Sequence, residues 1–500
     1  MATVKDITTM CREGKVLEAY QLAREEFIES PTNEWAQKSL GWTLYYFIRA
    51  DVDAADYDNL LIHIDELLSL GKLNVTPDAM ILDNVQFKVA EFIKNHVDEA
   101  DDASPAKLSA LFSRLRSFTF EPSKGHSFLL QSILRCNAWD EMADFIEWWG
   151  LDNLTEEDFT PFTLPNGKKM MTLAERAYIA YAKALLKTPD DDRINAFLPK
   201  LDALMTQHDE MTYPGYFYGK LLLLQGRDGE EALEAIIPFA RKKSTEFWVW
   251  QLLADVFADD DDKQLACLLR AVHCRTQEAF LGKVRTKLAE AYVRRGLFAQ
   301  ARFQAEAVAR AYTSNGWRVP RDVADWFSES WFCEAVPDDV APLDYMAISD
   351  EVLCQGAEKC IAVVTYYDPK LKKAAVVYGQ EQRLFQRLDT PVQAGDILHL
   401  YYVTDKEGHV KVIHTMKAKL PDGLSYARHI DGSIVRRDGQ NFAFLKAKKM
   451  YVFVPPTLVA SVNLKNGDRI KGIIVTDYNK QKEKWDWVCV GVQTLTAAAA

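Results

Sequence analysis

Residues 432–468 read GSIVRRDGQNFAFLKAKKMYVFVPPTLVASVNLKNGD. Short apolar runs alternate in this stretch with Gly, Asn and Asp, a pattern that is typical of small antiparallel β-structures. Successive side chains of a strand point to opposite faces. Phe442 and Phe444 therefore share one face of their strand, and Tyr451 and Phe453 share one face of the next. The stretch predicts a small β-barrel with aromatic side chains grouped on two neighbouring strands.

These four side chains, named the aromatic platform here (Phe442, Phe444, Tyr451 and Phe453), indicate a surface for nucleic acid. If the rings face outward, unstacked bases can lie on them, and such stacking contributes roughly 1–3 kcal/mol per base. Basic side chains flank the same strands and are expected to meet phosphates; they are Arg436, Arg437, Lys446, Lys448 and Lys449. The predicted nucleic-acid-binding residues are Arg436, Phe442, Phe444, Lys446, Lys448, Tyr451 and Phe453. One alternative is that Phe442 and Phe444 are core residues of a barrel packed against a helical domain.

The order of these runs resembles the cold-shock domain, and more loosely the S1 branch, of the oligonucleotide-binding barrels. Phe442 and Phe444 resemble the first ribonucleoprotein motif of that family, and Val452-Phe453-Val454 resembles the second. The resemblance implies that the three phenylalanines bind single-stranded RNA or DNA. Two stacking positions of the family differ here, because Pro455 replaces a histidine and Arg436 replaces a tryptophan. An arginine guanidinium can also stack on a base.

The β-rich part of the chain is duplicated. Gly395-Asp396 is followed eight residues later by Val403-Thr-Asp, and Gly467-Asp468 is followed eight residues later by Val475-Thr-Asp. Each copy is long enough for a five-stranded barrel. Strands are predicted at 361–367, 374–378, 397–403, 434, 442–445, 451–454, 470–475 and 485–492.

The duplication predicts two small oligonucleotide-binding (OB) barrels of unequal function. The predicted segments are a degenerate S1-like barrel at 351–416, a linker at 417–425 and a cold-shock-like barrel at 426–495. In the alignment of the two copies, Phe442 and Phe444 fall on Ala374 and Val376, and Phe453 falls on Phe385. The first barrel therefore lacks the aromatic platform, and we interpret it as a spacer or a protein-contact copy.

The first part of the chain, residues 1–335, shows the helical period, with apolar residues at i, i+3, i+4 and i+7. Leu253-Ala254 recurs 35 residues later as Leu288-Ala289, and Tyr218-Gly219 lies 35 residues before Leu253-Ala254. Small residues at the second position permit close helix crossing. The spacing resembles the tetratricopeptide repeat (TPR), which implies helical hairpins that stack into an α-solenoid. Residues 336–350 are predicted to be a linker.

The chain of 500 residues carries a net charge of −12 that is unevenly distributed. Residues 351–500 contain 22 Lys+Arg against 15 Asp+Glu, whereas residues 1–350 contain 38 against 57. Only the basic third is therefore a plausible partner for phosphate backbones.

The sequence also argues against several protein classes. No run approaches the 18 or more apolar residues of a membrane span, and charged residues come too early for a signal peptide. Eight scattered cysteines form no disulfide framework. We therefore expect a cytoplasmic protein without membrane contact. Glycine-rich phosphate loops, HExxH and paired zinc-ligand motifs are missing, so no catalytic residue, metal site or cofactor is predicted.

These observations predict a multidomain α-then-β protein that acts as a non-catalytic adaptor. The helical repeats would hold a protein partner, and the terminal barrel would bind single-stranded RNA or DNA. This layout resembles proteins with TPR and S1/cold-shock-like domains that accompany bacterial TOTE-type conflict (phage-defence) systems, which implies a partner that is a nucleic-acid enzyme. One rival is a pure protein–protein scaffold with structural barrels. Another is an enzyme with an active site in segment 60–165, for instance at His96 and His126.

Overall fold

The computed structural model describes residues 3–70, 79–98, 101–118, 120–136, 138–227, 229–388, 391–405, 407–479 and 483–496. Within these residues the chain is mainly helical as far as Leu353 and mainly β-structure after it. It divides into two compact units, Met1–Lys242 and Lys243–Ala500. No helix in the described ranges has the length and apolarity needed to cross a membrane.

The first unit is built from helices in the part of the chain that the structure describes. They are α1 (Val4–Arg12), α2 (Val16–Glu29), α3 (Glu34–Ala54), α4 (Tyr57–Ser69), α5 (Ala79–His96), α6 (Ser104–Leu115), α7 (Lys124–Ile133), α8 (Met142–Trp149), α9 (Leu173–Lys187), α10 (Asp191–Gln207), α11 (Pro214–Leu224) and α12 (Gly229–Lys242). Short 3-10 turns at Leu151–Asn153 and Glu156–Phe159 separate α8 from α9.

The second unit contains further helices and all ten of the strands found in the described residues. Its helices are α13 (Phe247–Val256), α14 (Asp261–Val272), α15 (Gly282–Arg294), α16 (Phe298–Ser314), α17 (Arg321–Trp326), α18 (Ser330–Glu334), α19 (Tyr345–Leu353) and α20 (Pro456–Val462). Its strands are β1 (Glu358–Asp368), β2 (Lys373–Gly379), β3 (Gln382–Arg387), β4 (Ile397–Thr404), β5 (Val410–Lys417), β6 (Ala427–Val435), β7 (Ala443–Ala447), β8 (Met450–Val454), β9 (Arg469–Asn479) and β10 (Lys484–Thr496).

The helices that contain the 35-residue spacing pack as hairpins, with the small residues between them. Ala254 on α13 and Ala289 on α15 are buried. A Cβ added at Gly219 on α11 would collide with the side chain of Ile236 on α12. The small residues of the pattern are therefore buried at helix contacts, and Gly219 lies where α11 and α12 approach too closely for a Cβ.

Part of the segment predicted as a linker is a helix, because α19 begins at Tyr345 within 336–350. This helix packs on α14. Arg270 of α14 pairs with Asp350 at 3.4 Å, and His273 stacks on Tyr345 with ring centroids 5.0 Å apart. Asp350 also lies 3.8 Å from His414 on β5. In this way α19 connects the helices of the second unit to its β-structure.

The second β-domain (β6 to β10, with α20) is a closed barrel with the strand order β10-β8-β7-β6-β9. Its interior is filled by small and aliphatic side chains of alternate strand positions. The third and fifth strands of this domain, β8 and β10, run parallel and pair at Phe453 and Val488. Such a closed five-stranded barrel is an OB-like architecture, as predicted.

The first β-domain (β1 to β5) has the strand order β3-β2-β1-β4-β5, so its strands have the same neighbours as their counterparts in the second β-domain, with one exception. In the described residues, its third and fifth strands, β3 and β5, form no ladder with each other. It is a half-barrel rather than the closed barrel that the sequence predicts. Two of its strands, β3 and β5, were not among the predicted strands. Polar residues are frequent in both, and β3 alternates only between exposed and half-buried positions, so neither shows a clear apolar run.

The two β-domains repeat one local structure at their Gly-Asp pairs. The carboxylate of Asp468 accepts a hydrogen bond from the backbone N–H of Lys465 at 2.7 Å, and Asp396 accepts one from Gln393 at 2.9 Å. The glycine of each pair also contacts the first strand of its own domain. The backbone N–H of Gly467 donates to the carbonyl of Ile434, and that of Gly395 donates to the carbonyl of Val364, each at 2.8 Å. The predicted duplication is therefore visible in matching contacts.

We expect Asp468→Ala to destabilise the second β-domain more than Asp396→Ala destabilises the first. Asp468 is buried, so its loss removes a hydrogen bond in a partly buried site and leaves a small cavity, at a cost of about 1–3 kcal/mol. Asp396 is only half-buried, and water can replace its carboxylate. Native-state hydrogen exchange of β9 and β4 amides measures the two opening free energies, and equal losses would contradict this ranking.

An apolar interface joins the two β-domains, and the predicted linker 417–425 is part of it. Val363 and Val377 of the first domain are buried in one cluster with Ile473 and Val475 of the second. Further members from the linker and the strands are Leu420, Leu424, Tyr426 and Val490. The two backbones also touch, since a Cβ on Gly395 would lie 2.8 Å from Cα of Gly491. The β-domains therefore pack directly on each other.

We expect Tyr426→Phe to loosen this interface. The buried Tyr426 hydroxyl donates to the carbonyl of Ile361 on β1 at 2.7 Å, and loss of such a bond costs about 1 kcal/mol. Hydrogen-exchange mass spectrometry of β1 measures the effect. The matched control is Tyr478→Phe on an exposed ring, and equal behaviour of the two variants would contradict the expectation.

Candidate nucleic-acid interface

Strands β7 and β8 place Phe444, Tyr451 and Phe453 by simple alternation, and Phe442 directly precedes β7. Ala443 and Leu445 point into the barrel core together with Val452 and Val454. The residues between them point outward, and Phe444 pairs directly with Phe453 across the β7–β8 ladder. The predicted strand parity is confirmed.

The three phenylalanine rings form one contiguous cluster. The centroid of Phe442 lies 5.8 Å from those of Phe444 and Phe453, and the latter two are 6.2 Å apart. Phe442 and Phe444 meet edge to face, at an interplanar angle of 88°. Aromatic pairs favour such tilted contacts, which keep the ring faces at different angles.

The cluster is accessible from outside the protein. The side chains of Phe444 and Phe453 are 36% and 37% exposed, Tyr451 is 58% exposed, and Phe442 is half-buried beside them. The alternative that Phe442 and Phe444 are core residues does not fit Phe444, because the core positions of β7 belong to its neighbours, and Phe442 is half-buried outside the core cluster. Val435, which pairs with Phe444 from β6, extends the apolar surface and was not among the predicted residues.

Basic side chains lie at one end of the cluster. Lys446 pairs with Tyr451 across the ladder, and its Nζ lies 5.8 Å from the centroid of the Tyr451 ring. Lys448 and Lys449 are exposed in the β7–β8 turn. The structure thus brings cations and rings together on adjacent strands, an arrangement suited to phosphate and base.

Arg436 has a different place from the other predicted residues. Its Nε donates to the carbonyl of Gln440 at 2.9 Å, and its Nη1 donates to the carbonyl of Leu464 at 3.0 Å. The side chain therefore braces the loop after β6 against the segment before β9. Because these two donors are occupied, the predicted role of Arg436 as a ligand-binding cation has little geometric support.

The departure from the family pattern at Pro455 has a local structural explanation. Pro455 is the N-cap residue of α20, and Pro456 is its first residue. Proline is favoured at the first helical position because no N–H is needed there. The chain therefore turns into a helix at the position where the resembling family has a stacking histidine.

In the alignment of the two β-domains, the β2 positions were one residue out of register, whereas the alignment of Phe453 with Phe385 is correct. Ala374 and Val376 lie in the core of that domain, so they correspond to Ala443 and Leu445 rather than to the phenylalanines. Phe385 pairs with Ala375, and this pair corresponds to Phe453 and Phe444. A β-bulge in the β2–β3 ladder, between Val377 and Gly379, adds one residue to this domain, and bulges shift the alternation in this way.

Part of the outer face of the first β-domain is covered, although Tyr366 and Phe385 on this face are exposed. Val363 and Val377 lie on this face and are buried against the second β-domain. The interpretation of the first domain as a protein-contact copy thus fits a contact within the chain itself.

The histidines of the rival enzyme hypothesis do not form a site. His126 is buried, stacks on Trp149 with centroids 4.4 Å apart, and contacts Gln86 Oε1 at 2.9 Å. Burial lowers its pKa, which keeps the ring neutral in a packed environment. His96 is exposed and its ring contacts Phe92 instead.

Over the described residues, one group has side chains close enough to hold a metal ion: Asp405, Glu407 and His409 in the β4–β5 loop. All three are exposed. The carboxylate of Asp405 accepts hydrogen bonds from the backbone N–H groups of Glu407 and His409, at 3.0 and 2.7 Å. These hydrogen bonds are those of a turn, and the turn accounts for the short distances between the three side chains.

Comparisons with known families agree with the geometry of the second β-domain. Residues 428–492 match the family model described as "S1/CSD-like domain 2 of the TOTE conflict systems". Residues 212–348 match a second model, "Domain of unknown function (DUF7017)", which covers the region of the 35-residue spacing. No curated protein matches the chain. The C-terminal barrel is thus similar to S1/cold-shock-like domains of conflict systems, and this similarity points toward nucleic-acid binding.

The outward and inward residues of β7 should differ in their effect on stability. We expect Phe444→Ala and Phe453→Ala to leave the barrel folded, with a loss below about 1.5 kcal/mol, since these rings are already partly hydrated. Leu445→Ala opens a cavity in the core and should cost about 2–5 kcal/mol. Native-state proteolysis of the full chain compares them, and similar losses at Phe444 and Leu445 would contradict the assignment of faces.

Proposed function

We propose that this protein is a non-catalytic adaptor whose C-terminal barrel binds single-stranded nucleic acid. The aromatic platform would stack the bases, and Lys446 with Lys448 would neutralise phosphates. The observation that carries the proposal is the exposed cluster of three phenylalanine rings on adjacent strands of a closed five-stranded barrel. Aromatic side chains are costly to leave exposed, and on this barrel face they match the chemistry of an unstacked base.

The charge distribution supports the same site. Residues 428–492 contain twelve Lys+Arg and six Asp+Glu, in a chain with a net charge of −12. Positive charge is therefore concentrated in the domain that carries the platform. Cations next to stacking rings are what single-stranded nucleic acid requires, because each base brings one phosphate.

The second part of the proposal concerns the helices. We propose that they form TPR-like repeats and hold a protein partner, a nucleic-acid enzyme of a TOTE-type conflict system. The similarity of residues 428–492 to a domain of those systems supports this context. The close crossing at Gly219, Ala254 and Ala289 supports the repeat assignment.

Fluorescence anisotropy of the full-length protein with labelled single-stranded RNA and DNA, across a salt series, tests the nucleic-acid site. We expect Phe444→Ala/Phe453→Ala to weaken binding roughly tenfold or more, since two stacking surfaces are lost. Lys446→Gln and Lys448→Gln should each reduce the salt slope by roughly 0.7, the value for one phosphate contact of a single strand.

The matched control is Phe385→Ala, the same change on an exposed ring of the first β-domain. It should leave the affinity unchanged. Failure of the wild-type protein to bind at low salt, or equal affinity of wild type and the platform variant, would refute the proposal and favour a pure protein scaffold.

A further inference from the structure

A groove of about 760 Å³ lies between α1 and α3 in the first unit. Its volume is in the range of ligand sites. Lys5, Thr8 and Arg12 of α1 line one wall, and their spacing of three and four residues places them on one side of that helix. This wall of the groove therefore carries two cations.

The opposite wall, formed by α3, is aromatic. Trp35, Trp42 and Tyr46 line it at spacings of seven and four residues, which places them on one side of the helix. Trp35 is 68% exposed, and Trp42 and Tyr46 are half-buried. Tryptophan and tyrosine are among the side chains that contribute most of the binding free energy at protein interfaces.

The groove also collects the positive charge of its region. Residues 3–70, which form α1 to α4, contain six Lys+Arg and thirteen Asp+Glu. Three of these six cations line the groove, namely Lys5, Arg12 and Lys38. Within these described residues, Glu26 is the one carboxylate of the thirteen that lines it. The lining is therefore basic, although the helices that form it are acidic.

Two of the three cations are accessible to a ligand. Lys5 and Arg12 are exposed, and neither forms an ion pair with a residue that the structure describes. The carboxylates next to them in sequence have other partners. Asp6 takes part in the capping box of α1, and Glu13 pairs with Lys15 at 3.1 Å.

The remaining charged residues of the lining, Lys38 and Glu26, each have a contact within the protein. Nζ of Lys38 also lies 5.8 Å from the centroid of the Trp35 ring. Because the charges of Lys38 and Glu26 are opposite, they contribute no net charge. The groove therefore keeps an excess of two positive charges next to an exposed aromatic ring.

We propose that this groove binds a short acidic peptide segment of a protein partner, with its carboxylates on Lys5 and Arg12 and an apolar side chain against Trp35. The basic wall from Lys5 to Arg12 is about 10 Å long, and the aromatic wall is about 16 Å long. An extended peptide rises about 3.3 Å per residue, so about three to five residues fill the groove. The proposal rests on the second part of the proposed function, in which the helices hold a protein partner, and it names the chemistry and place of that contact.

A short peptide fits the charge of this region better than a nucleic-acid strand does. Charges that are separated by more than a Debye length, about 8 Å at physiological ionic strength, are largely screened. The carboxylates of a short peptide would therefore mainly experience Lys5 and Arg12. A strand brings one phosphate per nucleotide and would extend over the acidic residues of α1 to α4, which repel it.

An array of acetylated and amidated seven-residue peptides of random sequence, probed with the full-length protein, tests the groove. We expect the bound peptides to be enriched in Asp and Glu and to contain at least one Leu, Phe or Trp. Fluorescein-labelled copies of the bound peptides then give affinities by anisotropy. Absence of bound peptides, or bound peptides with a net positive charge, would overturn the proposal.

Substitutions in the groove locate the binding. Trp35→Ala should weaken binding of the acidic peptides roughly tenfold or more. Lys5→Gln and Arg12→Gln should each weaken it roughly twofold to fivefold, as for exposed ion pairs. The matched controls are Arg24→Gln, an exposed cation of α2 that does not line the groove, and Trp317→Ala, another exposed tryptophan. Groove variants that bind as tightly as these controls contradict the proposal.

Hydroxyl-radical footprinting of the wild-type protein gives a direct readout at the exposed ring of Trp35. A bound acidic peptide should lower the oxidation rate of Trp35 and leave that of Trp317 unchanged. The same measurement with single-stranded RNA uses the Phe444→Ala/Phe453→Ala variant, so that binding at the platform does not contribute. Protection of Trp35 by RNA without protection by the peptides would assign the groove to nucleic acid and overturn the proposal.

The outcomes separate this proposal from the proposed function. The three groove variants change exposed side chains, so they should unfold at the temperature of the wild type. Peptides that bind equally well to the wild type and to all three variants overturn the assignment of the groove, but they still show a peptide-binding surface on the chain. Anisotropy with single-stranded RNA reports on the platform of the second unit and should be unchanged in Trp35→Ala.

Discussion

The interior of the closed barrel is the constraint on which the candidate site depends. A five-stranded barrel is too narrow to hold phenylalanine at every inward position, and Ala443, Leu445, Val452 and Val454 fill it. Because successive side chains of a strand point to opposite faces, the residues between these four lie on the outer surface. The aromatic platform is thus a direct result of core packing, and its rings are held by strands whose register is fixed on the other face.

The two β-domains show how one architecture can serve two purposes. Both keep the Gly-Asp contact and the same strand neighbours. In the second domain the outer face carries rings and cations, whereas in the first it carries Val363 and Val377, which are buried against the second. The first domain therefore packs on both faces: its inner face packs on its own core, and part of its outer face packs on the second β-domain.

Several features could be predicted from the sequence because they depend on local periodicity. The alternation around Phe444 and the duplicated Gly-Asp pairs needed no tertiary information. Strands β3 and β5 could not be predicted, since tertiary packing rather than an apolar run stabilises them. The docking of the β-domains did leave a signal: the run Ile361-Ala-Val-Val364 lacks alternation, as expected of a strand buried on both faces.

The one-residue error in the alignment of β2 has a different origin. A β-bulge changes the count of residues without changing their types, so composition gives no sign of it.

The direct contact between Gly395 and Gly491 has a consequence for valency. Under the proposed function, the three-ring platform is present once per chain, because this contact and the valines beside it cover part of the face of the first β-domain and Ala375 stands there at the position of Phe444. Tight, multi-point capture of a long strand would then depend on the number of chains that a complex gathers, since each additional chain raises the effective concentration of surfaces along the strand.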